Sequence, residues 1–465
     1  MKARQEIDHD AIGEAIAVIS QRFGDRLSTS QAIREQHGHT TTYHKNVPPD
    51  AVVFAHSTEE VAEIVRICAS RNVPVIPFGV GTSLEGHLNA PFGGISIDLS
   101  QMDKIVSVNP EDLDCTVQAG VTRVQLNEYL RDTGLFFPLD PGANASIGGM
   151  AGTRASGTNA VRYGTMREVV LSVTAVMADG QIVRTARRAK KSSAGYDLTR
   201  LLVGSEGTLG IMTEITLRLF GIPEAISAGV CSFETLEGAC NATIKAMQAG
   251  IPLARIELLD DVMVRASNVY SNLTLDETPT LFLEFHGSDA SVKEQTEMFR
   301  EIADEFGGGN FEWATRTEDR TKLWTARHDA FWAAKKMAPG KEGIATDVCV
   351  PISRLAECVI ETKADIEESG LIGPIVGHVG DGNFHISLMV DPDDEVEMGK
   401  ANLLLDRLVE RALAMDGTCT GEHGVGQGKV KYLEDEHGPG VDVMRAIKIA
   451  LDPKNIMNPG KMFSL

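Results

Sequence analysis

No run of this 465-residue sequence approaches the roughly 18 consecutive apolar residues of a membrane span. Its first ten residues, Met-Lys-Ala-Arg-Gln-Glu-Ile-Asp-His-Asp, carry both signs of charge and no apolar core, unlike a signal peptide. The seven cysteines (Cys68, Cys115, Cys231, Cys240, Cys349, Cys358, Cys419) are odd in number and dispersed, with no CxxC pair. That excludes a disulfide framework and reads as reduced thiols in a cytosol-like compartment. Basic charge is also short. The 44 Lys and Arg face 65 Asp and Glu, a net charge of −21, which excludes nucleic acid, whose phosphates demand clustered cations. These absences predict a cytoplasmic globular protein, with attachment at the periphery of an inner membrane as the variant. A hydrophobic content of 43% is ample for large cores.

The chain opens with an amphipathic helix over 10–24, with Ile12, Ile16, Ile19 and Phe23 on one stripe. A polar segment through Thr40-Thr41-Thr42 leads to a strand at Val52 to Ala55. Ser57-Thr58-Glu59-Glu60 then reads as a capping box opening a helix with Val61, Ile64, Val65 and Cys68 inward, and a second strand runs from Val73 to Pro77. The unit ends in Pro77-Phe78-Gly79-Val80-Gly81-Thr82-Ser83-Leu84-Glu85-Gly86. A Rossmann site would place its glycines after the first strand and open a helix with them. Here the loop follows the second strand and leads to another (Gly94 to Leu99), which excludes nicotinamide binding of that kind. Successive backbone N–H groups with the Thr82 and Ser83 hydroxyls still make a nest for a pyrophosphate.

Residues 138–164 are nearly free of charge and rich in Gly, Ala, Ser and Thr. Ile147, Met150 and Val161 among the glycines, and flanking strands at Val169 to Met177 and Ile182 to Thr185, place the stretch inside a domain. A third cluster, Gly204-Ser205-Glu206-Gly207-Thr208-Leu209-Gly210-Ile211, precedes a strand from Met212 to Leu219. Three such clusters, with no nucleotide-binding helix and no P-loop lysine, predict an extended dinucleotide lying across a β-rich domain.

The second half offers a different chemistry. In Gly377-His378-Val379-Gly380-Asp381-Gly382-Asn383-Phe384-His385 two histidines bracket a tight turn between apolar runs, a hairpin signature with glycines supplying positive φ. Folding back brings the imidazoles together, and Gly421-Glu422-His423-Gly424-Val425-Gly426 offers a third ligand. Two imidazoles and a carboxylate suit a divalent first-row cation with an open position, Zn or Mn. Beyond Pro223 strands and helices alternate (Ile256 to Leu259, Thr280 to Phe285, a helix at 291–306, Gly343 to Pro351), as in an α+β cap. A charged helix at 397–415 and another ending at Leu451, stopped by Pro453, lead back towards the dinucleotide.

The three glycine clusters closely resemble the FAD-binding domain of vanillyl-alcohol oxidase-type flavoproteins. The histidine hairpin, Thr420-Gly421-Glu422-His423-Gly424-Val425-Gly426 and Leu451-Asp452-Pro453-Lys454-Asn455-Ile456-Met457-Asn458-Pro459-Gly460-Lys461 resemble the D-lactate, glycolate and D-2-hydroxyglutarate dehydrogenase branch. Thr346 to Leu355 is similar to the cytochrome-linked D-lactate dehydrogenases in particular. The resemblance runs from about residue 40 to the end.

It implies an α+β fold in four parts: an N-terminal helical segment 1–46, a two-part FAD-binding domain 47–223, a substrate cap 224–410, and a segment 411–465 that completes the active and flavin sites. Carried over residue by residue, the flavin contacts fall at Pro77, Gly79, Gly81, Thr82 and Ser83 in the first loop. The second stretch supplies Pro141, Gly142, Ser146, Gly149, Met150, Thr153, Ser156, Gly157, Asn159 and Ala160; the third supplies Glu206, Gly210 and Ile211; Asn458 closes the set. FAD is expected to be non-covalent, with His87 the nearest nucleophile in the pyrophosphate loop region. The metal ligands implied are His378, His385 and Glu422, with His423 as base and Asn383 orienting the substrate oxygen. Trp324, Arg327 and Phe331 share a stripe of a helix predicted over 321–337, and the resemblance makes Arg327 the clamp for the substrate carboxylate.

The implied reaction takes a D-2-hydroxy acid, D-lactate first, to the 2-oxo acid, with hydride passing to flavin N5. Electrons then pass to a separate acceptor: a cytochrome, a quinone or an electron-transfer flavoprotein. Alternatives are a flavin-binding subunit of a glycolate-oxidising complex and a D-2-hydroxyglutarate dehydrogenase. Hydroxyglutarate relatives tend to carry Lys two residues before the aspartate matched by Asp347, and Thr one turn after the arginine; this chain has Ala345 and Phe331. Both changes remove a partner for a second carboxylate, so a monocarboxylate is expected. Lys335 and Lys336 are the cations that would restore one. A basic cluster (Arg184, Arg187, Arg188, Lys190, Lys191) offers docking to an acidic acceptor or an anionic membrane, and a homodimer is the expected assembly.

Overall fold

The structure, a computed structural model, describes residues 7–40, 42–314 and 316–465. Most of the charged N-terminal stretch (residues 1–6) and Thr41 of the polar segment lie outside these. The architecture is α+β, in two compact units. One joins the chain up to Ser156, Thr165–Gly221 and Glu422–Leu465; the other comprises Gly157–Gly164 and Ile222–Gly421.

The first unit begins with the helix His9–Phe23, which buries Ile12, Ala15, Ile19 and Phe23. Its smaller sheet runs Leu27–Ser28, Ala51–Phe54, Ile95–Asp98, Val75–Phe78, the last three strands parallel. The helix Thr58–Ala69 connects two of them and turns Val61, Ile64, Val65 and Cys68 into the core. Only half of the expected capping box forms. Ser57 accepts from Glu60 N–H, but the Glu60 carboxylate goes to His56 N–H (2.8 Å) and, as a two-pronged ion pair, to Arg26 (2.7 and 2.8 Å). The second sheet is antiparallel, in the order Ile105–Asn109, Asp114–Gln118, Ile211–Arg218, Val170–Val176, Ile182–Arg184. The C-terminal stretch closes the first sheet: Val75 N–H donates to Ile456 O (2.8 Å) and Asn458 N–H to Val75 O (2.8 Å), with Ile456 and Met457 in the core.

The second unit is built on one antiparallel sheet. Its order is Gly308–Ala314, Ala225–Phe233, Thr280–Gly287, Leu253–Leu259, Ile375–Gly377, Asn383–Val390, Glu342–Ala345, with Val348–Cys349 also on the Asn383 strand. Two expectations need correction. Gly343 to Pro351 is not one strand but two short ones, because Thr346 turns to hold Ile386 through backbone and hydroxyl while Asp347 turns its carboxylate to Asn383 and Thr420. The helix predicted over 321–337 is also two, Thr317–His328 and Ala330–Met337, broken at Asp329, whose ψ of 4° leaves the helical range. Trp324 and Arg327 stay on one buried stripe, whereas Phe331 lies beyond the break and packs on Gly343.

Candidate active site

In the first unit the three glycine clusters meet. A Cβ on Gly79 would stand 2.3 Å from Ser146 Oγ, and one on Gly207 would stand 2.4 Å from Pro77 Cγ, so these loops approach as only glycine permits. The Ser83 and Ser205 hydroxyls beside them are buried with no hydrogen-bond partner among the described residues. Buried hydroxyls of this kind need an acceptor, and the oxygens of a pyrophosphate fit them. Gly81 sits at φ +72°; Thr82 and Gly142 are exposed, and Pro141 half-buried.

The sequence reading foresaw no helix here, but Ser146 caps one, Ile147–Thr153, by accepting from Gly149 N–H at 3.3 Å. Small residues let that helix sit against Ala119, which a Cβ on Gly148 would meet at 2.6 Å. Thr153 Oγ1 donates within the helix to Gly149 O, and Ser156 is buried. Met150 and Ile211 are core side chains (1% exposed each), and Gly210 packs on Val176 and Met177, which leaves backbone as what all three offer a ligand. Gly157, Asn159 and Ala160 belong to the second unit, where Asn159 Oδ1 accepts from Arg255 Nε at 3.0 Å.

Asn458 and Glu206 use their side chains to brace neighbouring loops. Asn458 Nδ2 donates to Glu206 O (2.7 Å) and His87 O (3.3 Å), and its Oδ1 accepts from Lys461 Nζ (3.1 Å). Burial pushes the Lys461 ammonium down to about 7, with the Glu206 charge working against it. Glu206 itself, at φ +55°, accepts from Val425 N–H at Oε1 (2.6 Å) and Gly426 N–H at Oε2 (2.8 Å), and His87 Nε2 lies 3.2 Å from Oε2. Its carboxylate therefore anchors the loop that carries Glu422 and His423.

His423 turns Nδ1 towards Glu85 Oε1 (3.9 Å), a carboxylate that also faces Lys429 (3.5 Å) and His44 (3.6 Å). Burial works to raise the Glu85 carboxyl; Lys429, His44 and His423 outweigh it and hold the group below the usual carboxylate range. Sequence reasoning missed Glu85. The available signal was an acid inside an otherwise uncharged glycine loop.

In the second unit the histidine hairpin forms as expected, with Val376 opposite His385 and Ile375 opposite Ile386. Gly382 supplies the positive φ (+79°), and a Cβ there would strike Val350 O at 2.1 Å. The two imidazoles stand 5.4 Å apart, nearly perpendicular. Each is anchored through Nδ1: His378 to Glu257 Oε1 (2.7 Å) and His385 to Thr346 O (2.8 Å). With Nδ1 donating in each bond, Nε2 is the nitrogen that either ring offers a metal.

Arg327 is buried, with Nε 2.8 Å and Nη2 2.5 Å from Glu257 Oε2. Asn383 donates both amide hydrogens, to Asp347 Oδ1 (2.7 Å) and Val348 O (2.8 Å), and Thr420 Oγ1 holds the other Asp347 oxygen (2.8 Å). Asn383 can thus offer its oxygen but has no hydrogen left to donate. A Cβ on Gly421 would stand 2.3 Å from Asn383 Nδ2, so only glycine fits beside this network. Glu257 was also missed in sequence; an acid in the apolar run Leu253–Leu259 was its signal. In the basic cluster, Arg188 pairs with Asp112 (2.6 Å) and Asp114 (3.2 Å).

Both halves match known sequence profiles: "FAD binding domain" over residues 49–186 and "FAD linked oxidases, C-terminal domain" over residues 222–462. The chain belongs to the FAD-linked oxidases, in their D-lactate dehydrogenase branch. It is 53% identical to "Probable D-lactate dehydrogenase, mitochondrial" of Danio rerio, over 98% of this chain and 93% of that protein. It is 48% identical to "D-lactate dehydrogenase (cytochrome), mitochondrial" of Arabidopsis thaliana, over 97% of this chain and 80% of that protein. "Glycolate oxidase subunit GlcD" of Bacillus subtilis is 34% identical, over 95% of this chain and 94% of that protein. Among solved structures, 4-ethylphenol oxidase from Gulosibacter chungangensis shares the fold, with a TM-score of 0.81 at 18% identity over 99% of this chain and 98% of that one. The mitochondrial relatives overturn the cytoplasmic expectation. Reduced, dispersed cysteines report a reducing compartment and do not distinguish one such compartment from another.

Proposed function

We propose that this chain oxidises D-2-hydroxy monocarboxylic acids, D-lactate foremost, to 2-oxo acids and passes the electrons to a cytochrome. The observation that carries the reading is the pair of Nδ1-anchored imidazoles in the same unit as the buried Arg327. It agrees with the names of the D-lactate relatives, one of which specifies a cytochrome.

When bound, FAD supplies the hydride acceptor and a divalent cation, Zn or Mn, supplies a Lewis acid for the substrate hydroxyl. His378, His385 and Glu422 would hold the cation. The loops at Pro77 to Ser83, Pro141 to Ala160 and Glu206 to Ile211 would cradle the flavin. Glu257 accepts from Arg327 Nε, and the buried Nη2, close to the same oxygen but without a hydrogen-bond partner among the described residues, leaves the Nη hydrogens for the substrate carboxylate. Asn383, whose amide hydrogens go to Asp347 and Val348, helps to position the substrate without taking the hydroxyl's single hydrogen. His423, turned towards the Glu85 carboxylate, takes the hydroxyl proton, and Glu85 favours the imidazolium that results. Anaerobic mixing with D-lactate should bleach the flavin absorbance within turnover time. Bleaching by L-lactate alone would overturn the reading. The GlcD likeness raises a second one, a subunit active only within a complex, which dye reduction by the purified chain would exclude.

The flavin should be held without a covalent bond. His87, the nearest nucleophile in the pyrophosphate loop region, is buried with Nε2 turned to Glu206. Acid precipitation should release all yellow colour into the supernatant, and colour held in the pellet would contradict this.

A further inference from the structure

Glu257 belongs to none of the glycine or histidine motifs, yet it touches two of the residues on which the proposed chemistry rests. Strand alternation puts it on the same face of Leu253–Leu259 as Arg255. The helix Thr317–His328 lays Trp324 and Arg327, one turn apart, along that face: Arg255 stacks on Trp324 (4.4 Å) and Glu257 meets Arg327. Glu257 is 1% exposed, and its two oxygens divide the work: Oε2 accepts from Arg327, Oε1 from His378 Nδ1.

We propose that Glu257 is a positioning residue that sets the substrate clamp and a metal-binding imidazole against each other through one carboxylate. The inference rests on the D-2-hydroxy-acid reading above. Two consequences follow from the two oxygens. At His378 the carboxylate fixes the ring and raises the basicity of Nε2, so metal affinity depends on it. At Arg327 it stops the guanidinium from swinging and balances its buried charge, so affinity for the substrate carboxylate depends on it too.

Glu257→Gln separates these effects from a general packing role. A glutamine keeps the volume but has one acceptor oxygen for two donors, so one partner loses its bond. Mn2+ titrated into the metal-stripped, FAD-loaded protein should bind roughly 10–100-fold more weakly than in the wild type. With Mn2+ saturating, kcat for D-lactate should return to within a few-fold of wild type, while KM stays raised at least about tenfold, the signature of lost ground-state binding. FAD content and the thermal midpoint report on folding. Glu257→Asp, which keeps both oxygens, should recover part of both effects and serves as the test should the glutamine variant not fold. Wild-type Mn2+ affinity in both variants, or a KM that metal alone restores, would overturn the inference. Wild-type protein that neither binds Mn2+ nor oxidises D-lactate would instead overturn the functional reading beneath it.

Discussion

D-Lactate should be oxidised with a kcat/KM at least about a hundredfold above that of D-2-hydroxyglutarate under one acceptor dye. The distal carboxylate of hydroxyglutarate needs a cation, and the lysines that the sequence offers for it have other partners. Lys335 pairs with Glu342 at 2.8 Å, and Lys336 lies over the Tyr270 ring at 5.6 Å. Phe331 offers no hydroxyl to a second carboxylate, and it packs on Gly343. Arg255, half-buried on the Leu253–Leu259 strand, is a further cation, and it is engaged with Glu284 (3.6 Å), Asn159 and the Trp324 face. Leaving a carboxylate unpaired costs several kcal/mol, and each 1.4 kcal/mol or so is tenfold in kcat/KM. The L-enantiomers should be poor. With carboxylate and hydroxyl held, exchanging hydrogen and side chain at the α-carbon turns the hydride away. Comparable kcat/KM for D-lactate and D-2-hydroxyglutarate would show that Arg255 leaves its partners for the substrate.

His378→Ala should abolish metal binding and lower kcat at least about a hundredfold while FAD content stays at the wild-type level. Most of the expected flavin contacts, from Pro77 to Ser156 and from Glu206 to Ile211, lie in the first unit, whereas His378 sits on the histidine hairpin of the second. Alanine also leaves the buried Glu257 carboxylate with Arg327 alone, a paired state that the fold tolerates. Full activity of the variant in excess chelator would rule out the metal. Loss of FAD together with metal would mean that the hairpin supports flavin binding as well.

What was legible in the sequence was whatever a short local pattern specifies. The hairpin at His378 to His385 reads directly because glycine placement, alternation and turn length all act within nine residues. The glycine clusters read as ligand loops because glycine is chosen for contacts that no side chain could survive, as Gly79 on Ser146 shows. Long-range carboxylate pairings were not legible. Glu257 meets Arg327 across 70 residues and His378 across 121, and Glu206 meets Val425 across 219. No local rule ties such residues together. Glu206 and Asn458 show the same limit: no local pattern announced that their side chains brace distant loops. The break at Asp329 was invisible for a related reason, since the apolar stripe of the two helices continues across it.

The first unit takes its last strand-like segment, Ile456 to Asn458, from the far end of the chain, against Val75. A ribosome delivers these partners far apart in time. The 200 residues from Ile222 to Gly421 intervene, and at about 5–20 residues per second they take roughly 10–40 s to emerge. Throughout that interval the nascent half-sheet has an open edge at Val75 and a core lacking Ile456 and Met457. An exposed edge of this kind invites pairing with other chains. Biogenesis of this protein should therefore depend on holding chaperones until translation ends, and premature stops that spare all of the second unit should still yield aggregates.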